Sequence, residues 1–267
     1  MTDYLLAIDV GNTQTVIGLY DHGVPGVSAD DGLVSHWRVS TDHDRTSDEF
    51  ATMMAGFLQF ARVDFDEISG VAVCSGVPRV QATLRSLSER YLDFDPIVLG
   101  PGVKSGMPIK YDNPREVGAD RIANAIATYE LYGGPAIIVD FGTGNNFDIV
   151  SESGEFLGGA IAPGIEVSMD ALVGRASALS AIELVEPRSV IGKSTVESLQ
   201  SGAMFGFAAS VDGMVARFQN ELDSDAVVVA TGGLAPVIAP VTSTVEHVEP
   251  FLTLHGLRIV HARNTDR

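Results

Sequence analysis

The sequence has little cysteine, little tryptophan and few basic residues. Of its 267 residues, one is cysteine (Cys74) and one is tryptophan. A single cysteine excludes an intrachain disulfide framework and any cysteine-rich metal site, and suits a reducing compartment. The 17 Lys and Arg stand against 35 Asp and Glu, giving a formal charge of −18 and a pI near 4.5. So acidic a chain lacks the basic face that nucleic acid or an anionic membrane surface requires. No segment approaches the ~18 consecutive apolar residues of a membrane helix. The stretch up to Tyr20 carries Asp3 and Asp9 and no basic group before its apolar run, unlike a signal peptide. The six histidines are scattered without metal-ligand spacing, and no Ser-His-Asp constellation can be argued. A cytoplasmic protein with no nucleic-acid or membrane partner is expected.

What is present is material for a core. Hydrophobic residues make up 45%, charged residues 19%, and mean hydropathy is +0.19, which excludes global disorder. A short apolar run, Leu5–Ile8, and a mixed strand-like stretch, Gln14–Tyr20, flank Asp9-Val10-Gly11-Asn12-Thr13 and predict a hairpin or a closely related tight connection. A strand follows at His36–Val39, then a helix over Ser47–Arg62 with Phe50, Met53, Met54, Phe57, Leu58 and Ala61 at helical spacing. Gly70–Cys74 reads as a buried strand, Gln81–Tyr91 as a helix and Pro96–Leu99 as a strand, which is an α/β pattern. Gly100–Pro114 reads as a crossing loop. Glu116–Leu131 is helical, stopped by Gly133-Gly134-Pro135. Later come Lys193–Leu222 as a long helix with a Ser194/Glu197 capping box, Val227–Ala230 as an apolar strand, a closing segment Phe251–Val260 and a frayed Asn264–Arg267. A domain boundary is expected near Pro114, giving domains 1–114 and 115–267.

After that boundary the opening pattern returns. Ala136–Val139 leads into Asp140-Phe141-Gly142-Thr143 and then Phe147–Val150. Asp9 matches Asp140, Gly11 matches Gly142 and Gly23 matches Gly154, all at an offset of 131, which points to an internal duplication. Two other motifs fail. Gly192-Lys193-Ser194 lacks the first glycine of a P-loop, since position 187 is proline. Gly142-Thr143-Gly144 has phenylalanine at position 147, where a dinucleotide fingerprint has glycine.

A tight turn after a buried strand presents successive backbone N–H groups as an anion-binding nest. In the first hairpin, Asn12, Thr13 and Thr15 add side-chain donors suited to phosphate. Asp9 is placed to hold Mg²⁺, which takes one or two carboxylates together with substrate phosphates. The bland reading is that Asp9 only fixes the turn. With a second copy present, two facing hairpins would clamp one nucleoside triphosphate in a cleft between duplicated domains. Ala230-Thr231-Gly232-Gly233 taken alone reads as an ordinary strand-to-loop turn.

Five motifs occur in order: Asp9-Val10-Gly11-Asn12-Thr13, Val117-Gly118-Ala119-Asp120-Arg121, Val139-Asp140-Phe141-Gly142-Thr143, Gly158-Gly159-Ala160-Ile161-Ala162-Pro163-Gly164 and Ala230-Thr231-Gly232-Gly233. Together they resemble the type III pantothenate kinases, of the actin/sugar-kinase/heat-shock ATPase superfamily, over nearly the whole chain. The resemblance implies two ribonuclease-H-like α/β domains with ATP between them. It implies transfer of phosphate from ATP to pantothenate, the first step of coenzyme A biosynthesis, by a homodimer. The first phosphate motif would be Asp9, Val10, Gly11, Asn12, Thr13, Gln14, Thr15 and Val16, with Thr143 as a further ATP contact. Asp140 would help to hold a monovalent cation, K⁺ or NH₄⁺. Gly118, Ala119, Asp120 and Arg121 would bind pantothenate with Asp120 as general base. Tyr111 and Thr195 would touch the same substrate, Thr195 across the dimer interface. Without the resemblance, Asp120 reads as helix-start electrostatics and Thr195 as a cap. Arg121 reads as a surface charge or a carboxylate clamp, and Tyr111 as a packing residue.

The chain departs from the family at Gly144-Asn145-Asn146, where small hydroxyl residues or alanine and further threonines are usual. Asparagine still donates hydrogen bonds, so a cost would appear in ATP affinity or rate. The competing expectations are a catalytically silent regulator or binding protein, and a superfamily kinase for another hydroxylated or carboxylated substrate.

Overall fold

In the computed structural model, residues 3–265 are described, apart from 25 and 27. Contacts divide the chain into a first unit of 1–131 with 251–267 and a second unit of 132–250. The expected cut at 114/115 therefore falls inside the first unit.

In the first unit, Tyr4–Val10 (β1), Gln14–Asp21 (β2) and Leu33–Ser40 (β3) form an antiparallel meander. Ile68–Ser75 (β4) and Ile97–Val98 (β5) add parallel strands, giving the order β3-β2-β1-β4-β5. Period-two alternation decides which residues face which side. Leu6, Ile8, Val10, Ile17, Leu19, Val71 and Val73 turn one way, against Phe50, Met54 and Leu58 of Ser47–Ala61 (α1) and Val80, Leu84 and Leu87 of Pro78–Tyr91 (α2). Truncating Met54 or Leu58, each 1% exposed, to alanine would cost roughly 2–5 kcal/mol. β4 is buried on both faces, as an interior parallel strand must be, and so reads as a continuous apolar run. α1 starts with a full Thr46/Glu49 capping box, and α2 with proline in its first turn.

The other face of this sheet is covered by Leu252–Thr265 (α7), whose Leu254 side chain lies where a Cβ on Gly18 would fall. Ala119–Tyr132 (α3) packs on α7 so closely that any Cβ on Gly256 would collide with the Ala123 backbone. The hydroxyl of Thr253 also donates to Asn124 Oδ1 at 2.8 Å. α3 and α7 thus belong with β1, and this is why the boundary lies beyond Pro114. α3 begins at Ala119, and Pro114–Glu116 forms a separate 3-10 turn. The expected fraying at Asn264–Arg267 is corrected for Asn264, whose amide binds the backbone N–H and carbonyl of Lys104 at 3.1 and 3.0 Å. Asp266 and Arg267 lie outside the described residues.

The second unit repeats the plan. Ala136–Phe141 (β6), Gly144–Val150 (β7) and Phe156–Pro163 (β8) form the meander, while Val227–Thr231 (β9) and His247–Val248 (β10) run parallel to β6. The order is β10-β9-β6-β7-β8. Ile165–Arg175 (α4), Thr195–Leu222 (α5) and the short Ala235–Ile238 (α6) accompany the sheet. Ile137, Val139, Phe141, Phe147 and Ile149 form the core with Ala203, Met204, Val211 and Val215 of α5. Ser194 caps α5 by accepting from the Glu197 N–H at 3.2 Å, but the Glu197 carboxylate takes the Lys193 N–H at 2.9 Å. The box is therefore offset by one residue. Among the described residues no helix is long and apolar enough to cross a membrane.

The duplication holds with one adjustment. Val10 pairs with Thr15 across the first turn, Gly11–Gln14, and Phe141 pairs with Asn145 across Gly142–Gly144. The second turn is one residue shorter, so Asp9/Asp140 and Gly11/Gly142 are equivalent while Thr15 corresponds to Asn145. Beyond the turn the offset of 131 no longer applies. Gly154 adopts φ 78° and Gly23 is not among the positive-φ glycines, so that third match is turn chemistry alone.

Candidate active site

The first turn closes on itself through the Gly11 N–H to Gln14 carbonyl bond at 3.0 Å. Its other carbonyls are held from the segment after β3. Thr41 Oγ1 donates to the Gly11 carbonyl at 2.7 Å, and the Thr41 N–H donates to the Thr13 carbonyl at 2.9 Å. The Asn12 carbonyl meets His43 Nε2 at 3.4 Å. The N–H groups of Asn12 and Thr13 have no acceptor among the described residues, and both residues are exposed. With carbonyls held and amides unpaired, the turn is suited to an anion. Arg38 on β3 donates to Gln14 Oε1 at 2.7 Å, which sets a guanidinium beside the turn.

Thr15 is placed differently from the sequence reading. It is 2% exposed, and its hydroxyl lies 2.9 Å from that of Thr41. Thr41 gives its one hydroxyl proton to the Gly11 carbonyl, so Thr15 is the donor in this pair. Its side chain braces the turn and is not a free phosphate donor. Val16 lies within the sheet, paired with Asp9 and Arg38.

Asp9 sits at the end of β1 on the face opposite Ile8 and Val10, and its parallel neighbour is Cys74. The Cys74 thiol, 0% exposed, donates to Asp9 Oδ1 at 3.1 Å. Asp9 Oδ2 has no hydrogen-bond partner among the described residues. Burial raises the Asp9 pKa from 3.8 to about 6, and Asp120 adds to the rise, while the Cys74 bond and Arg38 oppose it. Burial, with the charges of Asp9 and Asp120, pushes the Cys74 thiol well above its usual range, so it stays protonated.

Asp120 lies in the first turn of α3, where the helix dipole favours a carboxylate. Its Oδ1 accepts from the Arg121 N–H at 2.9 Å and folds back over Gly118, occupying the space a Cβ there would need. Gly118 is thus what lets the carboxylate adopt this pose. Arg121 is 6% exposed, so the surface-charge reading fails. Tyr111 is half-buried in the loop before α3. The first unit therefore brings together Asp9, Asp120, Cys74, Arg38 and the Gly11–Gln14 turn.

The second unit holds Asp140, Thr143 and Thr195. The Thr143 carbonyl accepts from the Gly164 N–H at 3.1 Å, and the Gly142 N–H bonds to the Gly144 carbonyl at 3.1 Å. Thr143 is exposed and its N–H has no acceptor among the described residues. Gly164, which begins α4, lies so close that a Cβ would strike the Gly142 and Thr143 carbonyls. Asp140 stands over Gly232, whose φ is 91°, and a Cβ there would fall 2.5 Å from Asp140 Oδ1 and 2.6 Å from the Phe141 carbonyl. The glycine after β9 therefore serves a close approach to Asp140 as well as a turn. Asn145 is 3% exposed and its Oδ1 is unpaired. Thr195 is exposed at the first residue of α5, and the capping role expected of it belongs to Ser194.

The sequence reading missed Thr41, Arg38 and Cys74. Cys74 had a signal, because side chains at the carboxyl ends of adjacent parallel strands converge on sites in α/β folds. Thr41 had none beyond its place at a strand end. Among the described residues no group of three or more His, Cys, Asp or Glu stands together as a metal site.

Two five-stranded α/β units of one plan, each opening with an aspartate-glycine hairpin, define an actin/sugar-kinase-like fold. A Campylobacter jejuni protein described as a Baf family transcriptional activator shares it, with TM-score 0.59 and 18% identity over 98% of this chain and 100% of that one. A Sinorhizobium meliloti protein described as a 2-dehydro-3-deoxygalactonokinase does so with TM-score 0.57 and 12% identity, over 99% and 98%. At such identities the likeness shows the fold alone. The sequence narrows it further. The family model of type III pantothenate kinase matches residues 5–217. The type III pantothenate kinase of Moorella thermoacetica is 51% identical over 261 residues, 98% of this chain and 100% of the relative. The chain belongs to the type III pantothenate kinase family.

Proposed function

We propose that this protein transfers the γ-phosphoryl group of ATP to the primary hydroxyl of pantothenate, giving 4′-phosphopantothenate in the first step of coenzyme A biosynthesis. The observation that carries the reading is Asp120 at the start of α3, near enough to Asp9 for their charges to interact, in a chain matched to this family over nearly its full length. The hydroxyl oxygen of pantothenate forms a bond to the γ-phosphorus as the bond to the β,γ-bridging oxygen breaks. ADP leaves with that electron pair, and Asp120 takes the hydroxyl proton. Phosphoryl transfer asks the protein mainly for positioning and charge stabilisation. A protein of net charge −18 repels ATP at long range, so local donors must supply the attraction. The turn Gly11–Gln14 supplies them, with Asp9, Val10 and Val16 setting its strands, and Thr143 is a further nucleotide contact.

Asp9 Oδ2, without a protein partner, fits a role in holding Mg²⁺, which would neutralise triphosphate charge. The Asp140 carboxylate and the Phe141 carbonyl, both close to Gly232, are oxygen donors that suit a K⁺ or NH₄⁺ ion, which would add positive charge near the nucleotide. Gly118, Ala119, Arg121 and Tyr111 hold pantothenate, with Arg121 suited to its carboxylate. Thr195, whose hydroxyl is exposed and has no hydrogen bond among the described residues, reaches pantothenate from the partner in a homodimer of a cytoplasmic enzyme. The test is ADP release by the purified protein with MgATP, with and without pantothenate and with K⁺, NH₄⁺ or neither. Release that depends on pantothenate and on the cation is expected. No release under any condition would favour the silent reading, and release with another acceptor alone would favour a different kinase. Asp120→Asn should lower kcat by about 10²–10⁴ with the melting temperature retained. Near-normal turnover would remove Asp120 from the base role.

A further inference from the structure

We propose that Thr41 is a positioning residue for nucleotide binding, locking the peptide planes of the Gly11–Gln14 turn so that their N–H groups face the phosphates. The inference rests on the assignment of that turn to ATP. In a trans peptide, the carbonyl of one residue and the N–H of the next point in opposite directions. Thr41 Oγ1 holds the Gly11 carbonyl at 2.7 Å, so the Asn12 N–H is aimed away from Thr41. The Thr41 N–H holds the Thr13 carbonyl at 2.9 Å, which orients the Gln14 N–H in the same way. One residue thirty positions downstream thus sets two non-adjacent peptides of the turn.

The lock is needed because the turn begins with glycine. Without a Cβ, the peptide after Gly11 can rotate cheaply, and rotation would bring a carbonyl oxygen toward the phosphate in place of an N–H. Thr15 completes the device by donating to Thr41 Oγ1, leaving the single Thr41 proton no other acceptor than the Gly11 carbonyl. The order of donation is Thr15 to Thr41 to Gly11, and it ends on the backbone of the turn.

The test is steady-state kinetics of Thr41→Val, Thr41→Ser and Thr15→Val in the full-length protein, alongside Asp9→Asn. Thr41→Val keeps the shape of the side chain and removes the hydroxyl. It should raise KM for ATP about tenfold, as expected for the loss of hydrogen bonds that hold the turn. KM for pantothenate should stay within about twofold, and the melting temperature should fall by only a few degrees, as expected for leaving the Thr15 hydroxyl and the Gly11 carbonyl unpaired. Thr41→Ser should restore most of the ATP affinity, and Thr15→Val should have a smaller effect than Thr41→Val. Unchanged KM for ATP in Thr41→Val, an equal rise for both substrates, or failure of serine to rescue overturns the proposal. So does a greater loss in Thr15→Val than in Thr41→Val, which would place the Thr15 hydroxyl on the phosphate. Thr41→Ala, with the same outcomes expected, replaces the valine variant should that variant not fold. A silent Thr41→Val beside an inactive Asp9→Asn defeats the positioning role alone. If neither variant alters saturation by ATP or turnover, the assignment of the turn to ATP falls as well.

Discussion

Replacing Asp9 by asparagine should make the protein more stable and less active at once. In the folded chain burial raises the Asp9 pKa from 3.8 to about 6. The folded state therefore binds more protons than the unfolded chain between those values, and stability falls as pH rises through that window. Above about pH 6 the full cost of the buried charge is present. A shift of about two units corresponds to about 3 kcal/mol, an upper figure because solvent relaxation softens buried charges. Asparagine removes the charge and keeps an oxygen that can accept from Cys74 at the position of the present 3.1 Å contact. At roughly 2–4 °C per kcal/mol for a protein of this size, the melting temperature should rise by up to about 10 °C. The measurement is thermal unfolding of both proteins at pH 7.5 and near pH 4, with chelator and without nucleotide. The gain should be large at pH 7.5 and nearly vanish at pH 4, where folded wild-type Asp9 is protonated. Turnover of Asp9→Asn should meanwhile fall, a trade of stability for function. A variant no more stable than wild type at pH 7.5, or a gain independent of pH, would refute the reasoning.

His255 should act in the opposite sense. It is 1% exposed with both ring nitrogens unpaired, and burial, with the charge of Arg258, lowers its pKa to about 4. Its unfolded value is 6.5, so the unfolded chain binds more protons below that pH, and up to about 3 kcal/mol of stability is lost between pH 6.5 and 4. Denaturant midpoints of His255→Leu should lack this acid slope, and an unchanged slope would count against it. Because the Asp9 and His255 windows overlap, their slopes offset in the wild type, and each single variant should expose the other group. Gly232→Ala should cost about 1–3 kcal/mol, since φ is 91° and the new Cβ would meet Asp140 Oδ1 at 2.5 Å. It should also raise the K⁺ or NH₄⁺ concentration needed for half-maximal activity. An alanine variant with wild-type melting and cation demand would show that the contact is relieved without consequence.

Most elements were legible because their burial is periodic. β1, β2 and β4 are short apolar runs, and α1 carries its core residues at helical spacing between a capping box and a left-handed C-cap. β8 was harder. Past Phe156 its inward positions are the small Gly158 and Ala160, while the large apolar Leu157 and Ile161 are exposed, so the usual alternation is reversed, and Gly159 lies against the Phe147 backbone. α4 went unread although Ile165, Met169, Leu172 and Val173 stand at helical spacing, and of that stripe the fold buries Ile165 alone. The Gly23 and Gly154 match misled because glycines at loop ends recur for their own reasons.

At the candidate site, Asp9, Asp140 and the glycines beside them could be named from the repeated pattern along the chain, and Asp120 from the resemblance to the family. Those features are local, and a strand end, a turn and a helix start each carry a residue signature. What surrounds them could not be named, because it comes from distant parts of the chain. Cys74 reaches Asp9 across 65 positions through a parallel register, and Thr41 reaches Gly11 across 30. The two aspartate-glycine hairpins, the helices that follow them and the family to which the chain belongs are all written in the order of its residues. Only packing makes α7 return to the first sheet, rests the thiol of Cys74 on Asp9 and sends the proton of Thr15 to Thr41. The physical reason is that a period of two or of 3.6 shows which face of an element is buried, whereas the partner it is buried against is set only when separate elements pack.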